Sequence, residues 1–72
     1  MERFLRYSLE RNRPIRAVFM LNGEMTQKQV SVVALDPGRV SLRVGAKKKP
    51  VILSLADILS CAYARGDHGE GV

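Results

Sequence analysis

The sequence predicts a mainly β fold, in which five antiparallel strands form a small barrel and one α-helix lies at the N-terminus. Helical periodicity of the apolar residues is confined to about the first twelve residues. The rest of the chain consists of short, β-branched runs separated by turn signals such as Asn22-Gly23 and Asp36-Pro37-Gly38. No later segment is long enough to form the crossover helix that parallel strands need, so the sheet must be largely antiparallel.

The N-terminal helix is predicted over residues 2–12. Phe4, Leu5 and Leu9 fall on one side of a helix with 3.6 residues per turn, and charged residues fall on the other side. Pro14 disfavours helical geometry at the residue before it, which ends the helix at this point. The segment is therefore an amphipathic helix that can cover one end of a sheet.

Five strands follow the helix. The clearest is the third, because Val40, Leu42 and Val44 alternate with arginine and serine and are expected to point inward. Ser54 precedes a Leu-Ala-Asp sequence with the spacing of a capping box, which predicts a single helical turn before the last strand. The predicted strands are residues 15–21, 26–35, 39–44, 51–54 and 58–64.

The length of 72 residues allows one domain, which we place at residues 1–65 and expect to be followed by a flexible tail at residues 66–72. Cys61 is the only cysteine, so no internal disulfide can form, and no residues have metal-ligand spacing. Five short, twisted strands bury their apolar face best when they curl into a partly closed barrel with the helix over an open end. This arrangement describes an SH3-like or Sm-like small barrel.

Composition limits the classes of function. The net charge of +5 favours nucleic acid or another anionic partner. No run of about 18 apolar residues occurs, so we expect no membrane association and a cytoplasmic location. No phosphate-binding loop, catalytic carboxylate pair or Ser/His/Asp set is present, and Cys61 is expected to be inert because His68 lies in the predicted tail. We therefore expect no enzyme, no catalytic residue, no metal site and no cofactor.

The main candidate binding residues form one basic cluster on the third strand and the loop after it. Arg39 and Arg43 are expected to face outward, and Lys47, Lys48 and Lys49 follow at a turn. Such side chains can contact phosphates and displace the counterions of a nucleic acid. The alternative is a solvated hairpin whose lysines discourage edge-to-edge association of sheets.

A second basic region lies in and just after the helix. Its members are arginines and one interleaved tyrosine, whose ring could stack on a base: Arg3, Arg6, Tyr7, Arg13 and Arg16. The alternative is a solvated helical face, since Glu2 and Glu10 lie within reach of Arg6 and neutralise part of its surroundings.

The continuous apolar run at residues 30–35 has more apolar surface than a monomeric barrel can hide. Val33 and Leu35 are expected on the opposite face from Val32 and Ala34, where they are candidates for a subunit contact. A small domain without disulfide or metal also gains stability by burying a further strand face. We therefore predict a homodimer or small homo-oligomer, formed through strand edges or through this face.

The order of these elements and the second half of the chain resemble the WYL domain, an Sm-like barrel found mostly in bacterial transcription regulators. The resemblance covers about residues 13–62. Val40-Ser41-Leu42 stands where the family has Trp-Tyr-Leu, and Leu53-x-Leu55-x-x-Ile58 is similar to the family's Phe-x-Leu-x-x-Ile. The family usually carries two arginines associated with ligand binding. This chain has Val51 and Asp57 at those positions. The resemblance implies a regulatory domain for nucleic-acid-like ligands, here without those two arginines.

These features together predict a non-enzymatic regulatory module. Its expected ligand is nucleic acid, single strands included, or a nucleotide-like anion. The expected binding residues are Arg39, Arg43 and Lys47–Lys49. The alternative is a protein-interaction or oligomerisation module in which the basic residues provide only solubility. In either case we expect a protein partner encoded by a neighbouring gene.

Overall fold

The computed structural model describes residues 2–45 and 47–67. These residues form one α-helix, one antiparallel sheet of five strands and a short 3-10 helix. The elements in chain order are α1 (Glu2–Arg11), β1 (Ile15–Leu21), β2 (Glu24–Asp36), β3 (Arg39–Val44), β4 (Val51–Ser54), the 3-10 helix (Leu55–Asp57) and β5 (Ile58–Tyr63). The predicted mainly β fold with an N-terminal helix is thus confirmed.

The strand order is β4-β3-β2-β1-β5, and every neighbouring pair is antiparallel. β2 is the longest strand because its first half pairs with β1 and its second half with β3. The sheet is open, with β4 and β5 as its two edges, and α1 packs mainly against β2. Within residues 2–45 and 47–67, no helix has the length and apolar character that a membrane span requires.

Two predicted turns have the backbone that their residues favour. Asn22 and Gly23 join β1 to β2 with positive φ at both positions, 53° and 81°, as a type I′ hairpin turn requires. Ser54 caps the 3-10 helix, because its side-chain oxygen accepts a hydrogen bond from the backbone N–H of Ala56 at 3.2 Å. The predicted helical turn before the last strand is therefore confirmed.

The inner side of the sheet and the apolar side of α1 enclose the core. Its largest fully buried side chains include Phe19, Leu5, Ile15 and Leu42. Along β3 the buried aliphatic residues alternate with exposed arginines, as the sequence predicts. This alternation decides which side chains of β3 reach solvent.

A β-bulge in β2 changes which side chains face the core. The register with β3 shifts between Val32 and Ala34, which leaves Val33 as an extra residue. After the shift, Leu35 lies opposite Val40 and packs against the core, whereas Val33 is exposed. The prediction that Val33 and Leu35 share an exposed face is therefore wrong, because it assumed unbroken alternation. A role for either residue in a subunit contact stays a prediction.

Ser8 of α1 is a polar side chain that is 0% exposed. Its hydroxyl donates a hydrogen bond to the backbone carbonyl of Arg13 at 2.6 Å and accepts one from the backbone N–H of Val32 at 2.9 Å. The backbone N–H of Arg13 also bonds to the carbonyl of Ser8 at 3.2 Å. One hydroxyl thus joins the C-terminal end of α1 to the bulge in β2.

The predicted flexible tail begins with residues that belong to the folded domain. The backbone N–H of Asp67 bonds to the carbonyl of Ala64 at 2.9 Å. The Asp67 carboxylate accepts hydrogen bonds from the Tyr7 hydroxyl, at 2.7 and 2.8 Å to its two oxygens. The remainder of the predicted tail, residues 68–72 with His68, lies outside the described residues.

Candidate nucleic-acid interface

The first predicted basic cluster lies on the outer side of β3 and continues into the loop after it. Alternation along this strand buries Val40 and Leu42 and leaves Arg39 and Arg43 exposed. Both arginines therefore lie on the same side of the sheet. Their backbones are about 13 Å apart, given the usual rise of a β-strand.

The loop after β3 is attached to the sheet at its start. The N–H of Gly45 bonds to the carbonyl of Gln29 at 3.1 Å, and the N–H of Lys47 bonds to the last residue of β3 at 3.2 Å. Gly45 has a φ of 57°, a left-handed conformation that glycine adopts without strain. Lys47, Lys48 and Lys49 are all exposed. The backbone is thus positioned by the sheet while three ammonium groups reach solvent.

We name these five residues the basic strand-loop surface: Arg39, Arg43, Lys47, Lys48 and Lys49. Within the part of the chain that the structure describes, one ion pair falls within 4.0 Å, between Arg6 and Glu2 of α1 at 3.8 Å. Among the described residues, no cation of the strand-loop surface has a carboxylate within 4.0 Å, and the carboxylate residue next to it in the sheet is Asp36, opposite Arg39 on β2. The charge of these cations is available to an external anion.

The side chains between and beside the two arginines are mostly short. Ser41 lies between them on β3, and its cross-strand neighbours are Ala34 of β2 and Ile52 of β4. Ser41 and Ala34 leave space beside the guanidinium groups, and the exposed Ile52 adds an apolar side chain to the same face. Guanidinium groups can donate two parallel hydrogen bonds to one phosphate, whereas the lysines act as point charges. The surface can therefore hold a phosphate backbone, and it contains no base-reading aromatic group.

The second predicted basic region contains an aromatic cluster that the sequence did not predict. The rings of Phe4 and Tyr7 both contact Tyr63 edge-to-face, with centroids 4.8 and 5.1 Å apart. The guanidinium of Arg3 lies over the Phe4 ring, 5.0 Å from its centroid, and the Nε–H of Arg16 donates to the carbonyl of Tyr63 at 3.1 Å. Tyr63 thus joins α1 and β1 to the end of β5.

The hydroxyl of Tyr7 is engaged with a residue near the other end of the chain. Its hydrogen bond to Asp67, with partial burial and the negative charge of that carboxylate, raises the pKa of Tyr7 above the ordinary value of a phenol. Arg13 acts in the opposite direction with a smaller effect. Tyr7 therefore stays protonated and serves an internal contact. No sequence signal indicates this pairing, because 60 positions separate the two residues.

The arginines of the second region differ in their surroundings. Arg6 pairs with Glu2 one helical turn away, while Arg3 and Arg16 contact the aromatic cluster described above. The two basic regions therefore differ: three exposed arginines of the second make contacts with other residues of the protein, and the strand-loop cations make none among the described residues.

Cys61 of β5 is half-buried, and burial raises the pKa of its thiol above the ordinary value. A thiol that stays protonated at neutral pH is a weak nucleophile. Among residues 2–45 and 47–67, no three His, Cys, Asp or Glu side chains are grouped so that they could hold a metal ion. His68, the other residue considered for such chemistry, is outside the described ranges.

No family model matches the chain, and neither a curated protein nor a solved structure is significantly similar to it. The resemblance to the WYL domain thus depends on the residues quoted above and stays a prediction.

Proposed function

We propose that this protein is a non-enzymatic module that binds nucleic acid or a nucleotide-like anion through the basic strand-loop surface. One observation supports the proposal above all: exposed cations on one strand and its loop have no carboxylate partner among the described residues. A polyanion binds best where several unpaired cations are close together.

The expected binding energy is electrostatic and depends on salt. Each cation that contacts a phosphate releases a condensed counterion, so the logarithm of the affinity falls linearly with the logarithm of the salt concentration. Five contacts correspond to a slope of about −3.5 for a single strand and about −4.5 for a duplex. The surface offers no aromatic platform, so we expect little base specificity.

We further propose that the open sheet is part of an SH3-like or Sm-like small barrel similar to the WYL domain. The strand order and the three-residue 3-10 helix between the two edge strands support this proposal. Such a short connection brings the end of β4 close to the start of β5, which requires a strongly curled sheet. A cytoplasmic regulatory role with a partner encoded nearby, as in transcription regulation, is the cellular context we propose.

The test is a titration of the protein with single-stranded and double-stranded DNA and RNA at about 50 mM salt. The proposal predicts a dissociation constant below about 10⁻⁶ M at this salt, because phosphate contacts are stronger at 50 mM than at physiological salt. It also predicts that raising the salt weakens binding with the slopes given above. No binding at low salt to any of these nucleic acids, or binding without a salt dependence, contradicts it.

A protein-interaction or oligomerisation module is the second candidate function. The observation that favours it is the exposure of apolar side chains on the outer side of β2 and β4, with Val33 37% and Ile52 65% exposed. Light scattering, combined with the titration, separates the two candidates. Nucleic-acid binding in either oligomeric state supports the first, and a defined oligomer that binds none supports the second.

A further inference from the structure

The two edges of the sheet differ in how they are protected against pairing with another strand. β4 has four residues and follows directly after the exposed lysines and Pro50. β5 has six residues, Ile58–Tyr63, without a charged residue, a glycine or a proline. Charged residues and proline are the usual means by which proteins prevent edge strands from associating. Neither strand carries a charge itself, but β4 is shorter and follows three like charges and Pro50, whereas β5 is longer and its flanking charges, Asp57 and Arg65, are of opposite sign.

The charges at the two ends of β5 are complementary to each other. Asp57 immediately precedes the strand, and Arg65 follows it after one intervening residue. Neither side chain has an ion-pair partner among the described residues. An antiparallel pair of identical β5 strands places the start of each beside the end of the other. When Cys61 lies opposite Cys61 of the second copy, each Asp57 lies opposite an Arg65.

We infer that β5 is a dimerisation edge, and that it pairs antiparallel with β5 of a second copy of this chain around a two-fold axis. The pairing extends the sheet from five to ten strands, and the two-fold axis gives two equivalent Asp57–Arg65 contacts. Two strands, β1 and β2, separate β5 from the arginines of the strand-loop surface. Dimerisation is therefore independent of the proposed nucleic-acid binding and leaves that surface exposed.

Pairing of the β4 edge of one copy with the β5 edge of another is less favourable, because it brings like charges together. An antiparallel contact between β4 of one copy and β5 of another places the lysines that precede β4 beside Arg65, which follows β5. Like charges at these positions repel each other. The two-fold β5 contact contains opposite charges instead, and it closes as a dimer rather than growing into a ring or filament.

The test compares two lysine substitutions on the two edge strands by sedimentation equilibrium or light scattering. Leu59 on β5 is 46% exposed, and Ile52 on β4 is also exposed. The wild-type chain should have twice its mass of 8.0 kDa at high micromolar concentration. Leu59→Lys should raise the dimer dissociation constant at least tenfold, because in the Cys61-centred register it places a positive charge opposite Tyr63 and diagonal to Arg65 of the second copy, where like charges repel. Ile52→Lys is the matched control and should leave the dimer intact.

Charge exchange tests the register. Arg65→Asp should raise the dissociation constant several-fold, and the double variant Asp57→Arg with Arg65→Asp should restore it. Circular dichroism checks that each variant folds. If Leu59→Lys does not fold, Ser60→Lys replaces it, since that side chain is exposed on the same strand.

Several outcomes overturn the inference. A wild-type monomer at high micromolar concentration excludes the dimer. Dissociation by Ile52→Lys alone assigns the contact to β4, and dissociation by both variants assigns it to β4 against β5. Failure of the charge exchange to restore association excludes the two-fold register. Nucleic-acid titration of the monomeric variant is a separate measurement, so each proposal can fail without the other.

Discussion

The helix side of the molecule and the basic strand-loop surface differ in how their polar groups are used. Around α1, the Ser8 hydroxyl makes two hydrogen bonds and Tyr7 donates to Asp67. Even the exposed Arg6 lies within 3.8 Å of a carboxylate. The cations of the strand-loop surface have no comparable contact among the described residues. Polar side chains near α1 hold the fold together, and those on β3 and its loop are free for an external partner.

This difference shows why net charge alone does not locate a binding site. The chain carries +5 overall, and both basic regions contribute to that value. A cation that is already paired must give up its internal contact before it can bind an external anion, whereas an unpaired cation has no contact to lose. The location of unpaired charge therefore identifies the candidate site better than composition does.

The largest effect on the helix side is expected for Ser8→Ala. The substitution leaves the N–H of Val32 and the carbonyl of Arg13 without their partner inside the protein. We expect the free energy of unfolding to fall by about 2 to 3 kcal/mol. Urea denaturation measures it, and Ser31→Ala is the control, with an expected change below about 0.5 kcal/mol. Equal losses in both variants would show that the Ser8 hydroxyl does not stabilise the bulge.

A smaller effect is expected at the bulge itself. Leu35→Glu should lower the free energy of unfolding by about 1 to 2 kcal/mol, because Leu35 packs against the core. Val33→Lys at the exposed extra residue should change it by less than about 0.5 kcal/mol. Both values come from urea denaturation at one pH. If Val33→Lys is the more destabilising variant, the register shift in β2 is incorrect.

The contact between Tyr7 and Asp67 should give a pH-dependent effect. The raised pKa of Tyr7 means that this contact stabilises the fold fully below the pKa of about 10 of an unfolded phenol. The stabilisation is lost as the pH rises through the folded pKa. Tyr7→Phe should therefore be less stable than the wild type at neutral pH, and the difference should shrink above pH of about 10.

Ultraviolet absorbance measures the same pKa directly. In a Tyr63→Phe background Tyr7 is the only tyrosine, so one phenol titrates. Asp67→Asn in this background should move the pKa of Tyr7 down toward its ordinary value. An unchanged titration curve would show that the carboxylate does not accept the hydrogen bond in solution.

The sequence predicts those parts of the fold that depend on neighbouring residues. The alternation of β3 identifies Arg39 and Arg43 as exposed, and Asn22-Gly23 identifies the first hairpin. The bulge at Val33 could not be predicted, because a continuous apolar run has no alternation that a shift could interrupt. The pairing of Tyr7 with Asp67 could not be predicted either, since only tertiary structure brings these residues together.

The most direct test of the account compares two variants that lose the same charge. Lys47, Lys48 and Lys49 are replaced by alanine in one variant, the loop variant, and three arginines with contacts in and just after α1, namely Arg3, Arg6 and Arg16, are replaced by alanine in the other, the helix variant. Each variant has a net charge of +2 instead of +5. Nucleic-acid affinity is measured as a function of salt for both, after circular dichroism confirms the fold. We predict that the loop variant reduces the magnitude of the salt slope by about 2 to 3, and that the helix variant changes it by less than about 1. Equal changes in the two slopes, or a larger change in the helix variant, would contradict the assignment of binding to the strand-loop surface.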